Sequence, residues 1–182
     1  VTFQHIDFSV GAYHENNARV RKVEISVFTC PSDYMPGSRE ERWSSNYAGC
    51  HHDVEAPIDA DNHGVFFLNS SVQSRAVPDG ASHTIFVGEK RLDANDLGWI
   101  SGTRSTLRNT GTPINMTPTI RENQQEPRRG EDDALFAQIT SDDLTVGGFS
   151  SYHPGGANFV FGDGSVHFLS ETVDPEIFKQ LG

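Results

Sequence analysis

Metal-capable side chains are densest between positions 51 and 63, where His51, His52, Asp53, Glu55, Asp59, Asp61 and His63 crowd a single polar segment. The run Asp59-x-Asp61-x-His63-Gly64 has the rhythm of a calcium loop, in which alternating oxygen ligands precede a glycine at the sixth position. The twelfth position is Ser70, where such a loop needs a bidentate glutamate, so an EF-hand is excluded. A looser calcium site built from Asp59, Asp61 and a carbonyl stays open beside the plainer reading of an acidic turn. Zinc fits less well here. His51 and His52 are adjacent, and neighbours on an extended segment point to opposite sides.

Other chemistry has weaker support. The chain lacks a G-x-S-x-G elbow, an H-E-x-x-H helix and a C-x-x-C pair. Gly147-Gly148, Gly155-Gly156 and Gly162-x-Gly164 do not open helices, so none of them cradles a phosphate. Glu89 ends an apolar run, which places a carboxylate at a strand end. Its expected partner is an arginine such as Arg91 or Arg104. His153 and Asp163 invite a dyad reading, but a strand between them separates them, since Asn158 and Asp163 alone lie roughly 16 Å apart at about 3.3 Å per residue. Asp163 is expected to shape a turn, and His153 to hydrogen-bond a neighbouring loop. No enzyme is expected.

The elements that must position these residues are best marked near the end of the chain. In HPGGANFVFGDGSVHFL, residues 153–169, apolar runs flank Asp163-Gly164, the favoured pair for a two-residue type I′ turn. That turn pairs Phe161 with Val166, Phe159 with Phe168 and Val160 with His167, and it puts Phe159, Phe161, Val166 and Phe168 on one buried face. Upstream, Asn16 or Asn17 caps a short helix over 18–22, and Val23, Ile25, Val27 and Phe28 read as a strand. Positions 31–45 form a surface excursion, and 47–61 is irregular. A strand is expected over 64–68, a short one over 72–77, a turn at Asp79-Gly80 and a central strand over 84–87. Trp99-Ile100 looks like a strand start. From 92 to 148 the pattern is that of a variable insertion, with a low-complexity stretch at 121–133. Asp174 and Pro175 open a C-terminal helix over 176–181.

At 182 residues, with 17 Gly, 9 Pro and 35% hydrophobic content, the chain reads as one loop-rich α+β domain spanning 1–182, with a mainly antiparallel sheet, long irregular loops and few short helices. The formal charge of −11 argues against nucleic acid and anionic membrane surfaces, which need a basic footprint. It suits a solvated surface or one that gathers cations.

Several phrases resemble a known family. A His followed by nine residues and Asp-Gly, within 153–169, is similar to the C-terminal signature of a pseudopilin-like family abundant in planctomycete-type bacteria. FTCPSD at 28–33, NYAGC at 46–50, NHGVFFLNSSV at 62–72 and VPDGASHTIFVGEK at 77–90 follow in the family's order. The structural signature residues are then His153, Asp163 and Gly164. The resemblance implies a pilin-like globular head, exported and held in the periplasm or at the cell surface by an N-terminal helix that this sequence lacks. The head would serve a structural or adhesive role related to type II secretion or type IV pili. Its partners would be other pilin-like subunits, reached through that helix, and a surface glycan or protein. Export in turn implies a disulfide between Cys30 and Cys50. The alternative is an extracellular carbohydrate- or calcium-binding module, with Trp43, Trp99 and the 51–63 cluster as contacts and calcium as the possible cofactor.

Overall fold

A computed structural model of the chain describes residues 2–34, 38–39, 42–92, 96–116 and 144–182. A small ribbon of β1 (Ser38–Arg39) and β2 (Arg42–Trp43) stands apart from the main sheet. That sheet contains β3 (Tyr47–His52), β4 (Ile85–Glu89), β5 (Leu107–Asn109), β6 (Gly156–Phe161) and β7 (Val166–Ser170). Its spatial order is β5-β3-β4-β6-β7, antiparallel throughout except where β5 lies parallel to β3. The apolar run expected to be central is central, with β4 between β3 and β6. The described fold is a mixed α+β domain with a small, mostly antiparallel sheet and few short helices.

One face of the sheet carries the core. Ala48 and Cys50 of β3, Ile85 of β4, and Ala157, Phe159 and Phe161 of β6 meet Ile114, Phe149 and Phe178 there. The rings of Phe149 and Phe178 approach Phe159 edge-on, at centroid distances of 5.2 and 5.6 Å. Gly88 makes this stacking possible, because a Cβ there would come within 2.7 Å of the Phe149 and Phe159 rings. Helix α1 (Ala18–Arg21) forms as expected. Its preceding Asn17 caps nothing with its side chain, and instead ties the Asp7 and Gly11 carbonyls and the Asp7 amide together. Helix α2 (Pro175–Gln180) has the expected cap, with the Asp174 carboxylate accepting from the Glu176 and Ile177 amides. Through Phe178 it seals the core.

The hairpin keeps its turn residues but shifts its register. Phe159 pairs with His167, Asn158 with Phe168 and Val160 with Val166. The cause is a three-residue loop, Gly162-Asp163-Gly164. Phe161 N–H donates to Ser165, and Gly164 N–H donates back to Phe161. A type I′ turn needs positive φ at both central residues, whereas only Gly164 (φ 85°) has it here, which is the pattern of the longer hairpin loop. Phe159 and Phe161 stay buried as expected, while Val166 and Phe168 are 62% and 51% exposed.

Other expectations also need correcting. The 23–28 segment is a coil ending in a 3-10 turn, Ser26–Phe28, rather than a strand. The irregular stretch expected after position 47 contains β3. Residues 64–68 form no strand, because the Val65 and Phe66 amides both converge on the Cys50 carbonyl and bend the chain. The 72–77 segment holds a 3-10 turn, Ser74–Ala76, and Trp99-Ile100 is a turn. The supposed insertion supplies β5, an edge of the sheet; its low-complexity stretch at 121–133 lies outside the described residues.

Candidate metal centre

Three distant segments bring unlike ligand groups to one point beside the end of β4. The first is the turn after Phe28, where the Cys30 amide donates to Asn46 Oδ1 and its carbonyl accepts from Asp33. The second is Glu89, the last residue of β4, which is buried despite its charge. The third is the loop before β6, where the His153 amide donates to Ser151 Oγ and Gly155, with φ 82°, turns the chain into the strand. Glu89 Oε1 lies 3.2 Å from His153 Nε2 and 3.9 Å from Cys30 Sγ, and the thiol and the ring nitrogen are 3.7 Å apart.

Glu89 is held from behind by Asn158. The Asn158 backbone N–H donates to Oε2 at 2.7 Å, and its side-chain amide reaches both carboxylate oxygens at 3.2 Å. The carboxylate thus stands in for a strand carbonyl where the β4–β6 ladder ends. Such hydrogen bonding offsets the cost of burying the charge. The ion-pair partner of Glu89 is His153 in place of an expected arginine, and Arg91 lies over the Tyr152 ring at 5.2 Å. Tyr152 and Arg91 line a pocket that Cys30 and Glu89 also line. A hydrogen bond with Tyr34, then burial, pushes the Tyr152 phenol up to about 12, so it remains a protonated donor at neutral pH.

The disulfide expected between Cys30 and Cys50 is absent, and both cysteines are free thiols. Their surroundings explain it. Cys30 faces Glu89 and His153, whereas Cys50 sits in the apolar core with its thiol directed at the His52 carbonyl. Burial pushes the Cys50 thiol up to about 12, which leaves it inert as a nucleophile or ligand.

Among the described residues, a second gathering joins His52, Asp53 and His63. Asp53 Oδ1 lies 3.3 Å from His63 Nδ1, and the His52 and His63 rings meet edge to face at 4.7 Å. His51 turns away, as adjacency demands: it is buried, and its Nδ1 pairs with Asn62 Oδ1 at 3.0 Å. Asp59 and Asp61 are both exposed, and neither joins either gathering; Asp59 Oδ1 accepts from the Ala60 amide. Trp43 and Trp99 are half-buried with their indole N–H groups inside. Asp163 is exposed and accepts from the Ser165 amide within its turn, far in role from His153.

Sequence reasoning considered Cys30, Glu89 and His153 one at a time and did not join them. The available signal was their shared setting: each lies inside one of the quoted phrases, FTCPSD, VGEK and HPGG. The sequence profile of a family described as protein of unknown function (DUF1559) matches residues 1–176. No curated protein and no solved structure matches the chain.

Proposed function

The chain belongs to that family of proteins of unknown function, DUF1559, and we propose that it serves as the structural display head of a pilin-like, exported surface protein. The observation that carries this reading is the outward placement of large apolar side chains near the start of the chain. Phe3, Phe8, Tyr13, Val23 and Val27 are all exposed, Phe3 by 72% and Val27 by 74%, while among residues 2–30 only Asn17, Val20 and Cys30 are buried. Phe3 and Phe8 lean on each other at 5.0 Å rather than on the core. Exposed apolar side chains that form a contiguous patch mark a surface that a partner covers, and the Phe3–Phe8 pair is its start. A packed bundle of apolar helices, as in a pilin-like assembly, has the chemistry to cover it. The net charge of −11 suits the remaining surface to display in solvent.

The experiment is localisation of the full-length gene product in its own bacterium. Cells are sheared, and the surface fraction, membranes and cytosol are probed with antibody against this domain. Recovery with sheared surface material, dependent on the cell's prepilin-processing enzyme, is the expected result. Recovery in the cytosol alone overturns the proposal.

A further inference from the structure

We infer that Cys30 Sγ, Glu89 Oε1 and His153 Nε2 form a zinc-type metal centre with one coordination position left open. This goes beyond the display role and does not depend on it. The argument begins with the triangle of ligand atoms. A tetrahedral zinc ion, with bonds of about 2.3 Å to sulfur and about 2.0 Å to nitrogen and oxygen, requires edges of about 3.5 Å for S–N, about 3.5 Å for S–O and about 3.3 Å for N–O. The observed edges are 3.7, 3.9 and 3.2 Å. No edge departs from the requirement by more than about 0.4 Å.

The chemistry of the set narrows the ion. A thiolate, an imidazole and a single carboxylate oxygen suit a borderline-soft divalent ion, and sulfur is a poor ligand for calcium or magnesium. Three gathered protein ligands, two of which line a pocket, is the pattern of a site that binds a further group, whereas a purely structural zinc site closes with four. Outer contacts brace each of the three segments. Asn158 fixes both carboxylate oxygens, Asn46 fixes the Cys30 turn and Ser151 fixes the His153 backbone.

The rival reading is a thiol nucleophile with an imidazole base and an orienting carboxylate. That relay needs the carboxylate and the nucleophile on opposite ring nitrogens. Here the thiol and the carboxylate both face Nε2, so the ring cannot take a proton at one end while being held at the other. Convergence on one nitrogen is the geometry of chelation.

The test uses the purified chain, stripped with a chelator, desalted and titrated with Co²⁺ and then Zn²⁺. One equivalent of Co²⁺ is expected to bind with a thiolate-to-cobalt charge-transfer band and tetrahedral visible bands, and Zn²⁺ is expected to displace it. Cys30→Ser should remove the sulfur band and Cys50→Ser should leave it. His153→Ala, at a side chain one-third exposed and so tolerant of truncation, should weaken binding at least tenfold while circular dichroism stays unchanged. Asn158→Ala should lower affinity by roughly 10–100-fold, the usual effect of losing an outer-shell partner. Absence of the sulfur band in the folded wild-type chain overturns the inference, and so does a band that survives Cys30→Ser. Cobalt bound at His52, Asp53 and His63 would lack sulfur character, so that outcome also counts against it.

Discussion

His51 shows how one buried side chain can make the stability of the whole fold depend on pH. Its Nδ1 is paired with Asn62 Oδ1, a carbonyl oxygen, so Nδ1 carries a proton. Nε2 is buried and makes no hydrogen bond among the described residues. Burial lowers the ring's proton affinity and outweighs the Asn62 hydrogen bond, which acts in the opposite direction; His52 and Arg108 add to the lowering. Because the folded value lies below the unfolded one, the unfolded chain binds the proton first. Stability is therefore complete above the unfolded value of about 6.5 and is lost as pH falls from there toward the folded value. Urea midpoints measured between pH 7.5 and 5 should fall for the wild type, and His51→Leu should remove part of that fall. Equal slopes in the two proteins would mean that His51 does not report pH.

At the scale of elements, the β6–β7 hairpin separates what the sequence determines from what it leaves open. Gly162, Asp163 and Gly164 announce a turn, and the alternation of Phe159 and Phe161 announces a buried face; both are present. Loop length was not legible, because Asp-Gly serves two-residue and three-residue turns alike, and one residue more inverts the partner strand. The same limit explains β3 and the 64–68 segment. Tyr47-Ala48-Gly49-Cys50 looks weak as a strand and forms one, because β4 and β5 supply ladders on both sides. Val65-Phe66-Phe67-Leu68 looks strong and forms none, because a Gly64 Cβ would meet the His51 backbone at 2.5 Å, so the chain passes too close to β3 to lie beside it. The metal centre was hidden for a related reason: its residues lie on segments that only the folded sheet brings together. The hairpin geometry makes a paired prediction. Asp163→Asn should be nearly silent, since Asn accepts the same Ser165 amide, whereas Gly164→Val should lower stability by about 1–2 kcal/mol or more at its left-handed φ. Chemical denaturation of the two variants checks it, and a silent Gly164→Val would contradict the three-residue loop.

At the scale of the whole molecule, Glu55 has a role no local motif announces. Its carboxylate accepts from Asn109 Nδ2, Thr112 Oγ1 and the Val146 and Gly147 amides, so it joins the chain on either side of positions 117–143. The Asn115 amide reaches the Phe149 carbonyl across the same junction. A cut anywhere within 117–143 therefore leaves each strand described here whole, in two pieces. Residues 1–116 keep β3, β4 and β5; residues 144–182 keep β6, β7 and α2. The surfaces that join them are the β4–β6 ladder, the core in which Ala48, Cys50, Ile85 and Ile114 meet Phe159, Phe161 and Phe178, and the Ile85 amide donating to the Leu181 carbonyl. The shorter piece supplies the aromatic side of that core and the longer one its aliphatic side, so each needs the other to bury it. Co-expressed as separate polypeptides, the two should purify together and refold on mixing, while the shorter piece alone should give the circular dichroism of an unfolded chain. Cys30 and Glu89 lie on one piece and His153 on the other, so zinc should tighten the pair by mass action. The domain would then behave as a complementing pair of fragments whose recombination is set by metal concentration rather than by the peptide bond between them.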